Sequence, residues 1–183
     1  NRVLRKIENL LREEMDKIGL EVFLPSLSPT ENWKTTGRLD TVDVLLQATP
    51  ANAPSKKKND STYVLGSTHE EIITPLLQKF VTSYKDLPKA AYQIQTKFRN
   101  EARAKSGILR GREFRMKDLY SFDVDEAGLD RSYQKMVVAY HNIYRRCGLP
   151  AVMVEADSGA IGGKDSHEFM LLAETGEDEV IQC

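Results

Sequence analysis

The apolar positions of this chain change period several times, and each change marks an element. Val3, Leu4, Ile7, Leu10, Leu11 and Ile18 recur at helical spacing among Lys, Arg and Glu, and Gly19 closes the pattern. Glu21–Pro25 follows as a short apolar strand ended by proline, and Tyr63–Gly66 reads as another. Thr68 opens a helical stretch with Ile72, Ile73, Leu76, Leu77 and Phe80 on its apolar face. Thr68 and Glu71 have capping-box spacing, while Pro75 inside the pattern predicts a kink or a late start. From Ala90 the period becomes two. Tyr92, Ile94, Thr96 and Phe98 then share one face, and Gln95, Lys97, Arg99 and Glu101 share the other. Residues 112–124 predict the antiparallel partner of this strand.

Further on, Leu129, Tyr133, Met136, Val137, Tyr140, Ile143 and Tyr144 mark a long helix stopped by Gly148 and Pro150. Three strand candidates complete the chain, at 151–156, 168–173 and 179–182. The sum predicts an α+β fold, a predominantly antiparallel sheet flanked by helices. Residues 41–62 break the pattern. Their Pro, Ala, Lys and Asn content reads as a surface insertion or flexible loop, with Lys56–Lys58 solvated.

Composition narrows the classes. At 183 residues the chain is sized for a single domain, or most of one, and 40% hydrophobic with 29% charged residues is ordinary for a soluble protein. No apolar run approaches the roughly 20 residues of a membrane helix, so no membrane partner is expected. The amphipathic, acid-containing N-terminal residues resemble neither a signal nor a transit peptide. Cys147 and Cys183 supply no zinc spacing and no disulfide framework, which predicts a reducing compartment.

Charge changes the picture more. The net charge is only -1, yet Lys97–Lys117 holds eight basic residues against Glu101 and Glu113. Concentrating cations in one hairpin-like segment suits a polyanion. Arg99 and Glu101 fall on one strand face, and Arg110, Arg112 and Phe114 on one face of the return strand. Arginine forks bind phosphate or carboxylate bidentately, and Phe114 offers a flat surface for a base. Ala102–Leu109 reads as a basic loop that closes over nucleotide or touches RNA. The competing reading is a solvent-facing basic hairpin with Phe98 and Phe114 in the core.

Phe98-Arg99-Asn100-Glu101, a loop, and Arg110-Gly-Arg-Glu-Phe114 resemble motif 2 of the class II aminoacyl-tRNA synthetases. The first helix, its strand and Pro25 resemble motif 1 of that family. Three segments narrow the resemblance to the prolyl-tRNA synthetase family of bacterial or organellar type. They are Gly66-Ser-Thr-His-Glu-Glu71, the run Tyr92–Arg103 with Arg112–Phe122, and Gly159-Ala-Ile-Gly-Gly163 with Ser166-His-Glu-Phe169.

The resemblance implies a class II catalytic core over 1–183 that lacks the third motif, as the N-terminal part of a longer synthetase. It implies ATP-dependent activation of L-proline to prolyl-adenylate and transfer to tRNA(Pro). Thr68 and Glu70 would bind proline, with His167, Gly162 and Gly163 around the same substrate. Arg99, the catalytic residue, would bridge the proline carboxylate and the α-phosphate of ATP. Glu101, Arg110, Arg112 and Phe114 would complete the ATP site. His69 and His141 are given no role in the chemistry. Magnesium is expected on the phosphates, with no aspartate to name as its ligand. A homodimer through motif 1, and a cytoplasmic or mitochondrial location, follow in the same way. The alternative expectation is a synthetase-like binding or dimerisation module without catalysis.

Overall fold

The computed structural model describes residues 1–51, 62–159, 163, 165–176 and 178–181. Along the chain run α1 (Arg2–Met15), β1 (Leu20–Glu21), β2 (Leu27–Pro29), α2 (Thr30–Thr35), α3 (Arg38–Thr41), β3 (Leu46–Ala48) and β4 (Tyr63–Leu65). Then come α4 (Glu70–Leu77), a 3-10 turn (Tyr84–Asp86), β5 (Lys89–Phe98), β6 (Glu113–Phe122), α5 (Glu126–Arg146), β7 (Ala151–Glu155) and β8 (His167–Leu171). Two compact units form: Gly19–Asp125, and Asn1–Ile18 with Glu126–Cys183.

The β5–β6 hairpin is the frame of the first unit. It pairs antiparallel from Lys89 opposite Phe122 to Phe98 opposite Glu113. β1 adds to β5 in parallel rather than antiparallel sense, with Leu20 opposite Ala91. Gly19 makes this approach possible, because a Cβ there would stand 2.8 Å from the Ala90 carbonyl oxygen. Past β1, the Gln95 side chain replaces strand pairing. Its Oε1 accepts from Leu24 N at 2.9 Å and its Nε2 donates to Leu24 O at 2.6 Å. These two hydrogen bonds satisfy the buried Gln95 amide. Leu24, Ile73 and Ala91 form the core here, with Val22, Ile72, Tyr120 and Phe122 packed against them.

A second sheet, β2–β4–β3, is antiparallel throughout. β3 lies inside the segment expected to be a loop. Leu46 and Ala48 pair with Leu65 and Tyr63, so that expectation is corrected for 46–48, while 52–61 lie outside the described residues. Trp33 of α2 is buried, and its Nε1 donates to Ser28 Oγ at 2.8 Å, which ties α2 to β2.

The helix after β4 begins at Glu70 with His69 as N-cap, and no side chain caps it. The expected capping box does not form, because the Thr68 hydroxyl donates to the Glu70 carboxylate instead. Pro75 sits within α4 and has no N–H for the Glu71 carbonyl. Asn32 Nδ2 fills that vacancy, donating to Glu71 O at 3.0 Å, so the helix continues two residues past the proline.

In the other unit, Glu14 of α1 is buried and accepts from Lys17 at 2.8 Å and from Arg146 of α5 at 2.7 Å. The Lys17 bond, and then Arg146, hold its carboxyl below the usual range against the opposing effect of burial. β7 and β8 form an antiparallel hairpin whose Phe169 packs on Tyr140, His141 and Tyr144. The third strand expected at the chain's end does not form over 179–181, and Gln182 lies outside the described residues. No helix among the described residues is long and apolar enough to cross a membrane.

Candidate active site

The turn between β4 and α4 is stitched to the open end of the β5–β6 hairpin. Gly66 N donates to Ser26 O at 2.8 Å, and Phe98 N donates to Gly66 O at 3.0 Å. Arg99, one residue past β5, turns its guanidinium onto this turn. Nε and Nη2 both reach Ser67 O at 3.4 Å, and Cζ stands 5.5 Å from the Phe114 ring centroid. Phe114 therefore carries a cation on its face. Arg99 thus reaches the turn that carries Thr68 and Glu70 and lies over Phe114, and its guanidinium is packed on the protein rather than directed only at solvent.

Glu70 is half exposed, and its Oε2 lies 3.5 Å from Arg38 Nη1. The same nitrogen bonds the buried Glu71 at 2.9 Å, Thr36 Oγ1 donates to that carboxylate at 3.2 Å, and Trp33 underlies the guanidinium. Arg38 therefore bridges the exposed and the buried glutamate. Sequence reading missed it, because a single arginine on a four-residue helix has no periodicity to reveal a partner 32 residues away.

Glu101 and Arg110 were expected on paired strands, but the strands end before them. Glu101 N donates to Arg99 O, a turn, and Lys105 and Arg110 form an isolated bridge within the loop. The two side chains meet as an ion pair of 3.1 Å, and Arg103 N donates to Glu101 at 2.8 Å. The Arg103 bond first, then Arg110, hold the Glu101 carboxyl below the usual range. Arg112 is exposed, and its carbonyl accepts Arg99 N at 2.9 Å, so its backbone helps to set the catalytic candidate. His167 stands in the other unit, where Nδ1 meets the Tyr133 hydroxyl at 2.7 Å. Gly163 is exposed in that unit with φ +126, a left-handed conformation natural to glycine, and Gly162 lies outside the described residues.

Beneath the turn lies a polar cluster that strand alternation did not disclose. Gln93, Gln95 and Lys97 share the face of β5 that was expected to be polar, yet all three are buried. Lys97 Nζ lies 2.8 Å from Asp118 Oδ1 and donates to His69 Nδ1 at 2.7 Å. Burial and the Lys97 charge lower the His69 pKa, and burial lowers that of Lys97 against the support of Asp118. Tyr120 is pushed up by burial and then by Asp118. His69 is therefore no incidental residue, although its role is architectural.

A family model described as tRNA synthetase class II core domain (G, H, P, S and T) matches residues 54–183, and the chain belongs to this family of class II synthetase cores. Among curated proteins it is similar to the proline--tRNA ligase of Dehalococcoides mccartyi (strain ATCC BAA-2266 / KCTC 15142 / 195), 52% identical over all 183 residues. It is likewise 53% identical over 185 positions to that of Syntrophomonas wolfei. The chain spans about a third of these relatives' length, 31% in each case. Among solved structures it is similar to Giardia lamblia prolyl-tRNA synthetase in complex with prolyl-adenylate. The TM-score is 0.73 at 20% identity, over 81% of this chain and 30% of that one, which shows a shared fold.

Proposed function

We propose that this chain supplies one wall of the site that activates L-proline in a proline--tRNA ligase. The proline carboxylate attacks the α-phosphorus of ATP, the bond to the β-phosphate breaks, pyrophosphate leaves, and prolyl-adenylate remains. The terminal ribose hydroxyl of tRNA(Pro) then takes the prolyl group and AMP departs. The observation that carries this reading is the convergence of Arg99 with the Thr68–Glu70 turn across the Ser67 carbonyl.

Each role follows from the chemistry of its residue. The Glu70 carboxylate, with the Thr68 hydroxyl beside it, suits the secondary ammonium of proline. Arg99 sits where the proline carboxylate meets the α-phosphate and neutralises charge that grows in the transition state. No general base is required, because the nucleophile is already a carboxylate, and positioning carries the rate. Phe114 serves as the adenine face. Glu101 and Arg110 reach adenine and distal phosphate by exchanging their mutual ion pair for the nucleotide, and Arg112 adds a phosphate contact. His167, Gly162 and Gly163 are proposed on the proline side by sequence resemblance.

Magnesium accompanies ATP in this reading. Among the described residues no three His, Cys, Asp or Glu side chains gather to hold a metal, and Glu70 and Glu101 face Arg38 and Arg110. These residues do not form a magnesium cage. The exposed Val3, Leu4 and Ile7 on α1 support a homodimer through that helix. The bacterial source of the similar ligases favours a cytoplasmic location over a mitochondrial one.

The reading is tested by calorimetric titration of the full-length protein with a nonhydrolysable prolyl-adenylate mimic. Saturable binding is expected, weakened by at least about 100-fold in Glu70→Ala and in Arg99→Ala, the size of a lost charge-assisted contact of about 3 kcal/mol. Absence of binding by the unsubstituted protein refutes it.

A further inference from the structure

Lys97 has no exposed surface, a position an ammonium group occupies only with partners. Those partners converge on one residue. Lys97 donates to His69 Nδ1 at 2.7 Å, which places the ring proton on Nε2, 3.1 Å from the Pro25 carbonyl oxygen that accepts it. Asp118 Oδ2 accepts from Lys97 Nζ at 3.0 Å, from Gln93 Nε2 at 2.8 Å and from the Tyr120 hydroxyl at 2.5 Å. The same phenol oxygen accepts the backbone N–H of His69 at 3.0 Å. His69 is thereby held at both ring nitrogens and at its backbone. Gly66 leaves room for the ring, since a Cβ there would fall 2.8 Å from His69 Cε1.

Stability alone gives no reason for this arrangement. Apolar residues of similar volume commonly replace a buried ion pair with no loss, or with a gain. What the ion pair does is fix His69, and His69 separates Thr68 from Glu70, whose side chains bond to each other across it. We propose that Lys97, together with Asp118, is a positioning residue for the amino-acid substrate, holding Thr68 and Glu70 in register through His69. The inference rests on the reading of Thr68 and Glu70 as the proline-binding pair. It separates two substrates by contact: the network bonds the ring and backbone of His69 between Thr68 and Glu70, while none of these hydrogen bonds involves Glu101, Arg110, Arg112 or Phe114.

The test is steady-state kinetics of proline-dependent ATP–pyrophosphate exchange by the full-length protein carrying Lys97→Met, Asp118→Asn or Tyr120→Phe, with thermal unfolding of each. Lys97→Met and Asp118→Asn are expected to raise KM for proline by up to about 100-fold, the scale of a misplaced substrate group, with KM for ATP unchanged. Tyr120→Phe, which keeps the ring and removes one hydroxyl, shifts proline KM in the same direction by less. If Lys97→Met does not fold, Tyr120→Phe decides alone. An unchanged proline KM in the folded variants overturns the proposal, as does a fall in all parameters in step with the folded fraction. A Glu70→Ala variant that keeps its proline KM overturns the underlying reading of the turn instead.

Discussion

His69 answers to two demands, a neutral ring and a fixed one, and the first has a consequence in pH. Its pKa is lowered in the fold by burial and by Lys97, from an unfolded value of about 6.5. Above that value the ring is neutral in both states and the native arrangement costs nothing in protons. As pH falls below it, the unfolded chain binds a proton that the fold excludes, so stability falls. Comparing melting temperatures at pH 8 and pH 5.5, the unsubstituted protein should lose more than His69→Gln does. Equal losses would show that His69 does not titrate against folding. The same residue shows what sequence could disclose at this scale. Thr68, Glu70, Arg99 and Phe114 were legible because a motif carries their order and spacing. Lys97, Asp118, Tyr120 and Arg38 were not, because each has a partner across the sheet or in another element. Period-two alternation gives a strand's two faces, and it does not say that the polar face is also covered.

α4 shows how a local rule is broken and compensated. Pro75 frees the Glu71 carbonyl, and Asn32, far away in sequence, bonds it at 3.0 Å. Asn32→Ala should cost about 1 kcal/mol in urea unfolding, the usual net value of such a bond. In a Pro75→Ala background, the alanine N–H can take Glu71 O, so Asn32→Ala should cost clearly less. Equal costs in the two backgrounds would remove the compensation from the account. The long elements, β5, β6 and α5, were readable because ten or more residues give a period room to show. β2, β3, α2 and α3 span three to six residues each and escaped it. Their positions come from contacts such as the bond between Trp33 and Ser28.

For the whole molecule, the chain's membership in the class II synthetase core family and its likeness to proline--tRNA ligases join with a cluster of candidate residues inside one unit. That unit, Gly19–Asp125, holds the Thr68–Glu70 turn, Arg99 with Phe114 beneath it, the Glu101–Arg110 pair and the buried Lys97 cluster. An arginine aimed at the Thr68–Glu70 turn and a glutamate partly open to solvent are the features on which the proposed function rests. The most direct measurement is the exchange of labelled pyrophosphate into ATP by the full-length protein, with each amino acid in turn. Exchange should depend on proline and should fall by about 100-fold or more in Arg99→Ala, as when a transition-state donor is removed. Exchange that does not require proline, or that survives undiminished in Arg99→Ala, would contradict the account.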